Sequence, residues 1–217
     1  MSLISPSVGE HLKNNINKKK IEMAVSKLLT FNNPKNHLEQ YPTDPSSAAY
    51  LVFMAAMDGN IECKKILDAG AGTGVLSFSA LMLGADEVVA VEIDHDQLTV
   101  LKTNLSMYGN CRIVIGNISE VAEKFDTAIC NPPFGAVIRD SDLPFLDTIF
   151  SNCKNIYLLH NYKNRDFILE YAKKRGRVLR EERITLSIPR MYSHHTKNYE
   201  NLVYIILQML PHRRRYQ

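Results

Sequence analysis

Leu67-Asp68-Ala69-Gly70-Ala71-Gly72-Thr73-Gly74 is the stretch that decides the fold. The apolar run 64–68 (KKILD) leads into three glycines spaced G-x-G-x-G, and a helix-like run over 75–83 follows at once. A strand, a glycine turn and a helix in that order start an α/β unit. Gly70, Gly72 and Gly74 allow a tight turn and a close approach of backbone to a ligand. The spacing lacks the last glycine of the dinucleotide fingerprint and the Gly-Lys-Ser/Thr of a phosphate loop. Taken alone, the stretch also reads as a glycine-rich turn with no ligand.

Working outward, the alternation continues. Strand-like runs stand at 87–93 (EVVAVEI), 111–116 (CRIVIG), 125–130 (FDTAIC) and 155–160 (NIYLLH), and helix-like runs at 95–107 and 164–175. Short, continuously apolar strands separated by helices predict a parallel sheet covered on both faces. The tail departs from this. Residues 181–190 and 200–210 are both strand-like, with only the polar stretch Tyr192–Tyr199 between them, which predicts an antiparallel hairpin. The expected sheet therefore has about seven strands. Upstream, residues 8–30 carry Leu12, Ile16, Met23, Val25 and Leu28 at helical spacing. Pro34, Pro42 and Pro45 make 31–47 irregular, and a helix over 46–59 is expected, capped by Ser46 or Ser47 and closed at Gly59. Residues 1–45 thus form a helical N-terminal extension, and 46–217 the main domain.

Composition sets outer bounds. The 217 residues are 45% hydrophobic and 23% charged, which excludes disordered and collagen-like chains. The net charge of +3 permits a polyanionic partner without demanding one. Cys63, Cys111, Cys130 and Cys153 form no C-x-x-C pair, so free thiols are expected and a metal site is not. No apolar run approaches 18 residues, and no signal-like stretch opens the chain; a cytoplasmic protein is the expectation.

Two further elements carry chemistry. Glu92 ends the second strand, 22 residues after Gly70, where open α/β sheets bind ligands. A carboxylate there can accept both ribose hydroxyls of an adenosine moiety. Asn131-Pro132-Pro133-Phe134 follows the strand FDTAIC directly. Asn131 precedes a proline and is pushed to extended backbone, while the two prolines stiffen the loop. What remains is a rigid perch with two acceptors, the Asn131 side-chain oxygen and the Pro132 carbonyl, beside the flat face of Phe134. That set suits a planar base with an exocyclic NH₂.

These residues resemble class I S-adenosylmethionine-dependent methyltransferases that methylate amino groups. More narrowly, His37-Leu-Glu-Gln-Tyr-Pro-Thr43, LDAGAGTGVLS, NPPFGAVIRDSDLPFL and SHHTKNYE are similar to the small-subunit ribosomal RNA N6-adenosine methyltransferase family. The resemblance implies a Rossmann-like sheet, S-adenosylmethionine as cofactor, and an RNA substrate, ribosomal RNA in this family. It implies that Gln40 and Thr43 close over the cofactor, that Asp68, Gly70, Gly72, Thr73 and Val75 hold it, and that Glu92 takes its ribose. Asn117 falls where many relatives have an Asp contacting the adenine amine. Asn131, Pro132, Pro133 and Phe134 are the implied catalytic pocket, with Ala136 replacing a Thr found in some relatives. A small zinc-binding activator subunit is an implied partner, and no membrane is. Lys13, Lys18, Lys19, Lys20, Lys173, Lys174, Arg175, Arg177, the run Arg213-Arg214-Arg215, and His194, His195 and Lys197 offer phosphate contacts, or are solvated surface. Tyr41 reads equally as a residue stacking on cofactor or base and as part of a structural turn at Pro42, and His160 reads more readily as a satisfied buried histidine than as pocket lining. Two other readings stay open: a protein glutamine methyltransferase, and a non-catalytic cofactor-binding assembly factor.

Overall fold

The computed structural model describes residues 16–135, 137–189 and 199–212. Seven strands form one sheet: β1 (Lys65–Ala69), β2 (Glu87–Glu92), β3 (Cys111–Ile115), β4 (Phe125–Cys130), β5 (Cys153–Asn161), β6 (Gly176–Pro189) and β7 (Tyr199–Pro211). Their order is β3-β2-β1-β4-β5-β7-β6. The first five run parallel, and β7 pairs antiparallel with both β5 and β6. The Rossmann-like arrangement and the C-terminal hairpin are as the sequence predicts.

Among the described residues, six α-helices flank the sheet: α1 (Lys18–Val25), α2 (Pro45–Met57), α3 (Val75–Met82), α4 (Leu98–Leu105), α5 (Leu143–Asn152) and α6 (Arg165–Arg175). One apolar cluster packs α1, α2 and α3 on one face, through Ile21, Val25, Leu51, Val52 and Phe78 against Ile66, Val88 and Ile129. A second packs α5 and α6 on the other, through Leu146, Ile149 and Ile168 against Leu67, Val89, Ala128 and Leu158. Alternate residues of β1, β2 and β4 therefore serve opposite faces, so each strand is apolar throughout. Removing one such buried Leu or Ile costs about 2–5 kcal/mol.

Several boundaries differ from the sequence reading. Helix α2 begins at Pro45, and its N-cap is Asp44, whose Oδ2 accepts from Ser47 N at 3.0 Å. Neither Ser46 nor Ser47 caps it, because Pro in the first turn lacks a donor to satisfy and its φ suits a helix start. The predicted helix 95–107 opens instead as a 3₁₀ turn, His95–Gln97, before α4. Helix α5 is absent from the sequence reading, although Leu146, Ile149 and Phe150 mark its buried face. The hairpin strands are longer than expected, β6 starting at Gly176. Residues 8–15, Lys13, Ala136, His194, His195, Lys197 and Arg213 to Arg215 lie outside the described residues. Cys63, Cys111, Cys130 and Cys153 are free thiols. Among the described residues, no helix is long and apolar enough to cross a membrane, and no cluster of His, Cys, Asp or Glu could hold a metal.

The strand order positions the site. β1 neighbours both β2 and β4, so connections leave to opposite sides at this point and open a crevice at the strands' carboxyl ends. The last β1–β4 pair is Ala69 with Cys130. Gly70 and Asn131, the next residue on each strand, therefore start their loops side by side.

Candidate active site

Two cavities meet at this edge. The larger, about 230 Å³, is lined by Gly70, Gly72, Thr73, Val75, Glu92 and Asn117, with apolar walls from Phe31, Ile93, Ile118, Ile138, Pro144 and Phe145. The smaller, about 30 Å³, is lined by Pro132, Phe134, Pro42, Asp44, Leu159 and Tyr204. Asn131, Glu39, Tyr41 and Thr43 line both.

The glycine loop is shaped by its neighbours. Gly70 and Gly72 have φ of 79° and 55°, the left-handed region that favours glycine. A Cβ on Gly70 would come within 2.9 Å of the Phe145 ring, and one on Gly72 within 2.9 Å of the Phe31 ring. The two aromatic rings thus lie directly on the loop's backbone.

Glu92 is 6% exposed at the end of β2. Its Oε2 accepts from Gly72 N at 2.8 Å, and its Oε1 from Asp94 N at 2.8 Å. Burial pushes its carboxyl above the usual range, against those backbone donors. Each oxygen keeps acceptor capacity for a diol facing the cavity.

A segment from the N-terminal extension straps the cavity. Lys35 Nζ donates to Asp94 Oδ1 at 2.6 Å, and Gln40 Nε2 to Asp94 Oδ2 at 2.8 Å. Gln97 Nε2 reaches the same oxygen at 3.3 Å. Burial raises Asp94, but the bonds from Lys35 and Gln40 outweigh it and hold the carboxyl well below the usual range.

The tetrad loop is held at its first and last residues. Asn131 Nδ2 donates to Thr43 Oγ1 at 2.8 Å, and its Oδ1 is buried without a partner. Phe134 N donates to Glu39 Oε2 at 2.7 Å, and Phe134 O accepts from Asn164 Nδ2 at 2.5 Å. The Phe134 ring meets His160 and Tyr204 edge-on, with centroids 5.0 and 5.4 Å away. His160 is fully buried, with Nε2 3.2 Å from Asp142 Oδ2 but not aligned for a hydrogen bond.

The structure places the expected site residues as follows. Asp68 does not line the cavity; it is fully buried beneath the loop, its Oδ2 accepting from Ser77 N and Oγ at 2.9 and 2.6 Å. Burial pushes it up to about 7 despite those bonds. Asn117 lines the cavity, but its Oδ1 already accepts from Ser119 N and Oγ, because it caps the turn Ile118–Glu120. Gln40 and Thr43 line the cavity with their polar ends turned to Asp94 and Asn131. The tetrad is split: Pro132 and Phe134 face the smaller cavity, and Pro133 the larger. Sequence reasoning missed Glu39, Asp94, Phe31, Phe145 and Asn164. Glu39 and Phe145 carried a local signal, lying inside the HLEQYPT and NPPFGAVIRDSDLPFL stretches.

A crevice at the switch point, a glycine loop and a strand-end acid beside a proline-stiffened acceptor loop define a methyltransferase of the Rossmann-like class. The chain belongs to the methyltransferase small domain family, which its residues 30–156 match. It is 33% identical to the rRNA N(6)-adenosine-methyltransferase METTL5 of Danio rerio, over 89% of this chain and 98% of that one. The Drosophila melanogaster protein of the same name is 32% identical over 77% of this chain and 85% of that one. A crystal structure from Pyrococcus horikoshii, described as a candidate RNA methyltransferase, superposes with a TM-score of 0.85 at 37% identity, covering 91% of this chain and 98% of that one.

Proposed function

We propose that this enzyme transfers a methyl group from S-adenosylmethionine to the exocyclic N6 of adenosine in RNA, small-subunit ribosomal RNA being the substrate. The observation that carries this is the buried, unpartnered Oδ1 of Asn131 where the two cavities meet. The relatives named for rRNA N6-adenosine methylation support the same substrate.

The residues of the larger cavity fit the cofactor. Glu92 would take the ribose hydroxyls, and the Gly70–Gly72 backbone would lie against its amino-acid portion. Phe31, Ile118 and Phe145 supply apolar surface for its adenine. When bound, S-adenosylmethionine supplies an electrophilic methyl group.

The acceptor side is work for the chain itself. An adenine amine is a weak nucleophile because its lone pair is delocalised into the ring. Asn131 Oδ1 and the Pro132 carbonyl accept its N–H groups, which favours a pyramidal nitrogen with the lone pair facing the larger cavity. The gain is positioning and electrostatic preorganisation. No dedicated base is required, since the proton can leave to solvent. Phe134 offers surface for stacking of an extruded base, worth about 1–3 kcal/mol. A purine needs more room than the about 30 Å³ of the smaller cavity, so the cavity must widen to admit one.

Exposed cations border this side. Arg183 lies over the Tyr162 ring, 4.7 Å from its centroid, in the turn whose Asn164 holds Phe134. Lys163 in the same turn is exposed. Both suit phosphates flanking the target. A cytoplasmic location and a small zinc-binding activator subunit belong to the proposal through the family resemblance.

Transfer of tritium from labelled S-adenosylmethionine to RNA, DNA and protein fractions, followed by nucleoside analysis, tests it. Label in N6-methyladenosine of RNA is expected; label in protein alone would favour the glutamine methyltransferase reading.

A further inference from the structure

Glu39 is the one residue of the strap that reaches the tetrad loop with a charge. It is 9% exposed and closes the 3₁₀ turn Asn36–Leu38 with a φ of 51°. A non-glycine residue is disfavoured in that left-handed region, so the surrounding contacts must hold it there. Its two carboxylate oxygens are used separately. Oε2 accepts from Phe134 N at 2.7 Å and Oε1 from Val137 N at 2.9 Å. Gly135, next to the first donor, is itself left-handed at 72°, and the carboxylate bridges the Phe134 and Val137 amides. Bonds from backbone N–H to a carboxylate are among the stronger kinds.

The next residue reaches the other way. Gln40 donates to Asp94, and the Asp94 N–H donates to Glu92. Adjacent residues of one strap thus hold the acceptor loop and the acid of the larger cavity. The Thr43 bond to Asn131 comes from the same strap.

We propose that Glu39 is a positioning residue for methyl transfer. Its carboxylate fixes the Phe134 and Val137 amides so that the Asn131 oxygen and the Pro132 carbonyl stay aimed at the acceptor nitrogen, and it can do so only while the strap is docked on Asp94. This rests on the N6-methylation reading above and names the group that builds its acceptor side. The step needs no chemistry from Glu39, which touches neither reacting atom.

Two variants of the full chain test this. Glu39→Gly removes the carboxylate but suits the left-handed backbone, which offsets part of the cost of freeing Phe134 N and Val137 N, so the fold should persist with a lowered melting temperature. Glu39→Gln keeps the shape and one acceptor but turns an NH₂ toward the second donor. Single-turnover methyl transfer is measured on an unmodified small-subunit ribosomal RNA transcript at saturating S-adenosylmethionine, with S-adenosylhomocysteine affinity beside it. Glu39→Gly should slow transfer by about 10- to 100-fold, the scale of a small misplacement in a preorganised site. Its S-adenosylhomocysteine affinity should change less than about threefold, and Glu39→Gln should fall between it and the wild type. A folded Glu39→Gly variant within twofold of the wild-type rate overturns the proposal. So does a loss of S-adenosylhomocysteine affinity as large as the loss of rate, since Glu39 would then only cover the donor. A wild-type chain that methylates no adenosine in RNA overturns the reading beneath it, and that result is distinct from either variant outcome.

Discussion

The Thr43 hydroxyl and the Asn131 amide, 88 residues apart in the chain, meet at 2.8 Å, and their contact fixes which way the amide faces. With Nδ2 engaged by Thr43 Oγ1, the oxygen is the end left unpartnered. A buried acceptor without a partner is costly unless something arrives to donate to it. The arrangement therefore holds an acceptor ready for a ligand N–H.

Replacing Thr43 by Val keeps the shape and removes that acceptor. The amide is then free to turn, and methyl transfer should fall about three- to tenfold, the worth of one net hydrogen bond. Thr43→Ser should retain most activity. Single-turnover rates of the two variants check this; equal rates in Thr43→Val and wild type would mean the hydroxyl orients nothing.

Glu92→Ala should weaken S-adenosylhomocysteine binding by about 1.5–3 kcal/mol, the cost of losing hydrogen bonds to a charged acceptor. The variant also frees Gly72 N and Asp94 N, so a melting curve should accompany the titration calorimetry. Unchanged affinity in a folded variant removes Glu92 from the cofactor site.

Asp68 makes stability depend on pH. Its folded-state value is raised to about 7 by burial, above the ordinary 3.8. Between about pH 4 and pH 7 the native state holds a proton that the unfolded chain has released. Its contribution is therefore fully present in acid and is lost as pH rises through about 7. The melting temperature should drop from pH 5 to pH 8 by about 2–4 °C for each kcal/mol of stability removed, and Asp68→Asn should flatten that slope. Differential scanning calorimetry across the range decides it; parallel curves for the two proteins would contradict the assignment.

Lys163→Glu and Arg183→Glu should weaken RNA binding across sequences and flatten its salt dependence, by about one unit of log–log slope for each phosphate no longer neutralised. S-adenosylhomocysteine affinity should not follow. Filter binding over a salt series shows this, and an unaltered slope would place RNA on another surface.

The parallel core was legible because β1, β2, β4 and β5 are buried on both faces, so their apolar runs are continuous. β6 was legible only from 181 onward. It is an edge strand, and Gly176, Arg177 and Arg180 give the residues before 181 the composition of a solvated loop. Glu92 and Asn131 were legible because strand ends next to a switch point announce themselves in sequence. Glu39 and Asp94 were not read as site residues, because what they do depends on partners far along the chain. Glu39 meets Phe134 across 95 residues, and Asp94 meets Gln40 across 54. No local pattern encodes such pairs. Likewise, that Asn117 caps its own turn and Asp68 lies under the loop was not legible from their positions.

In the proposed mechanism, methyl transfer depends above all on Asn131 presenting its oxygen to the acceptor amine. Single-turnover transfer to ribosomal RNA by Asn131→Ala, with S-adenosylhomocysteine titration of the same preparation, tests this most directly. The expected result is a rate lower by about 10²-fold or more, the scale of one oriented transition-state contact, with cofactor affinity within about twofold of wild type. Transfer at the wild-type rate would contradict it and reduce the tetrad to a structural turn.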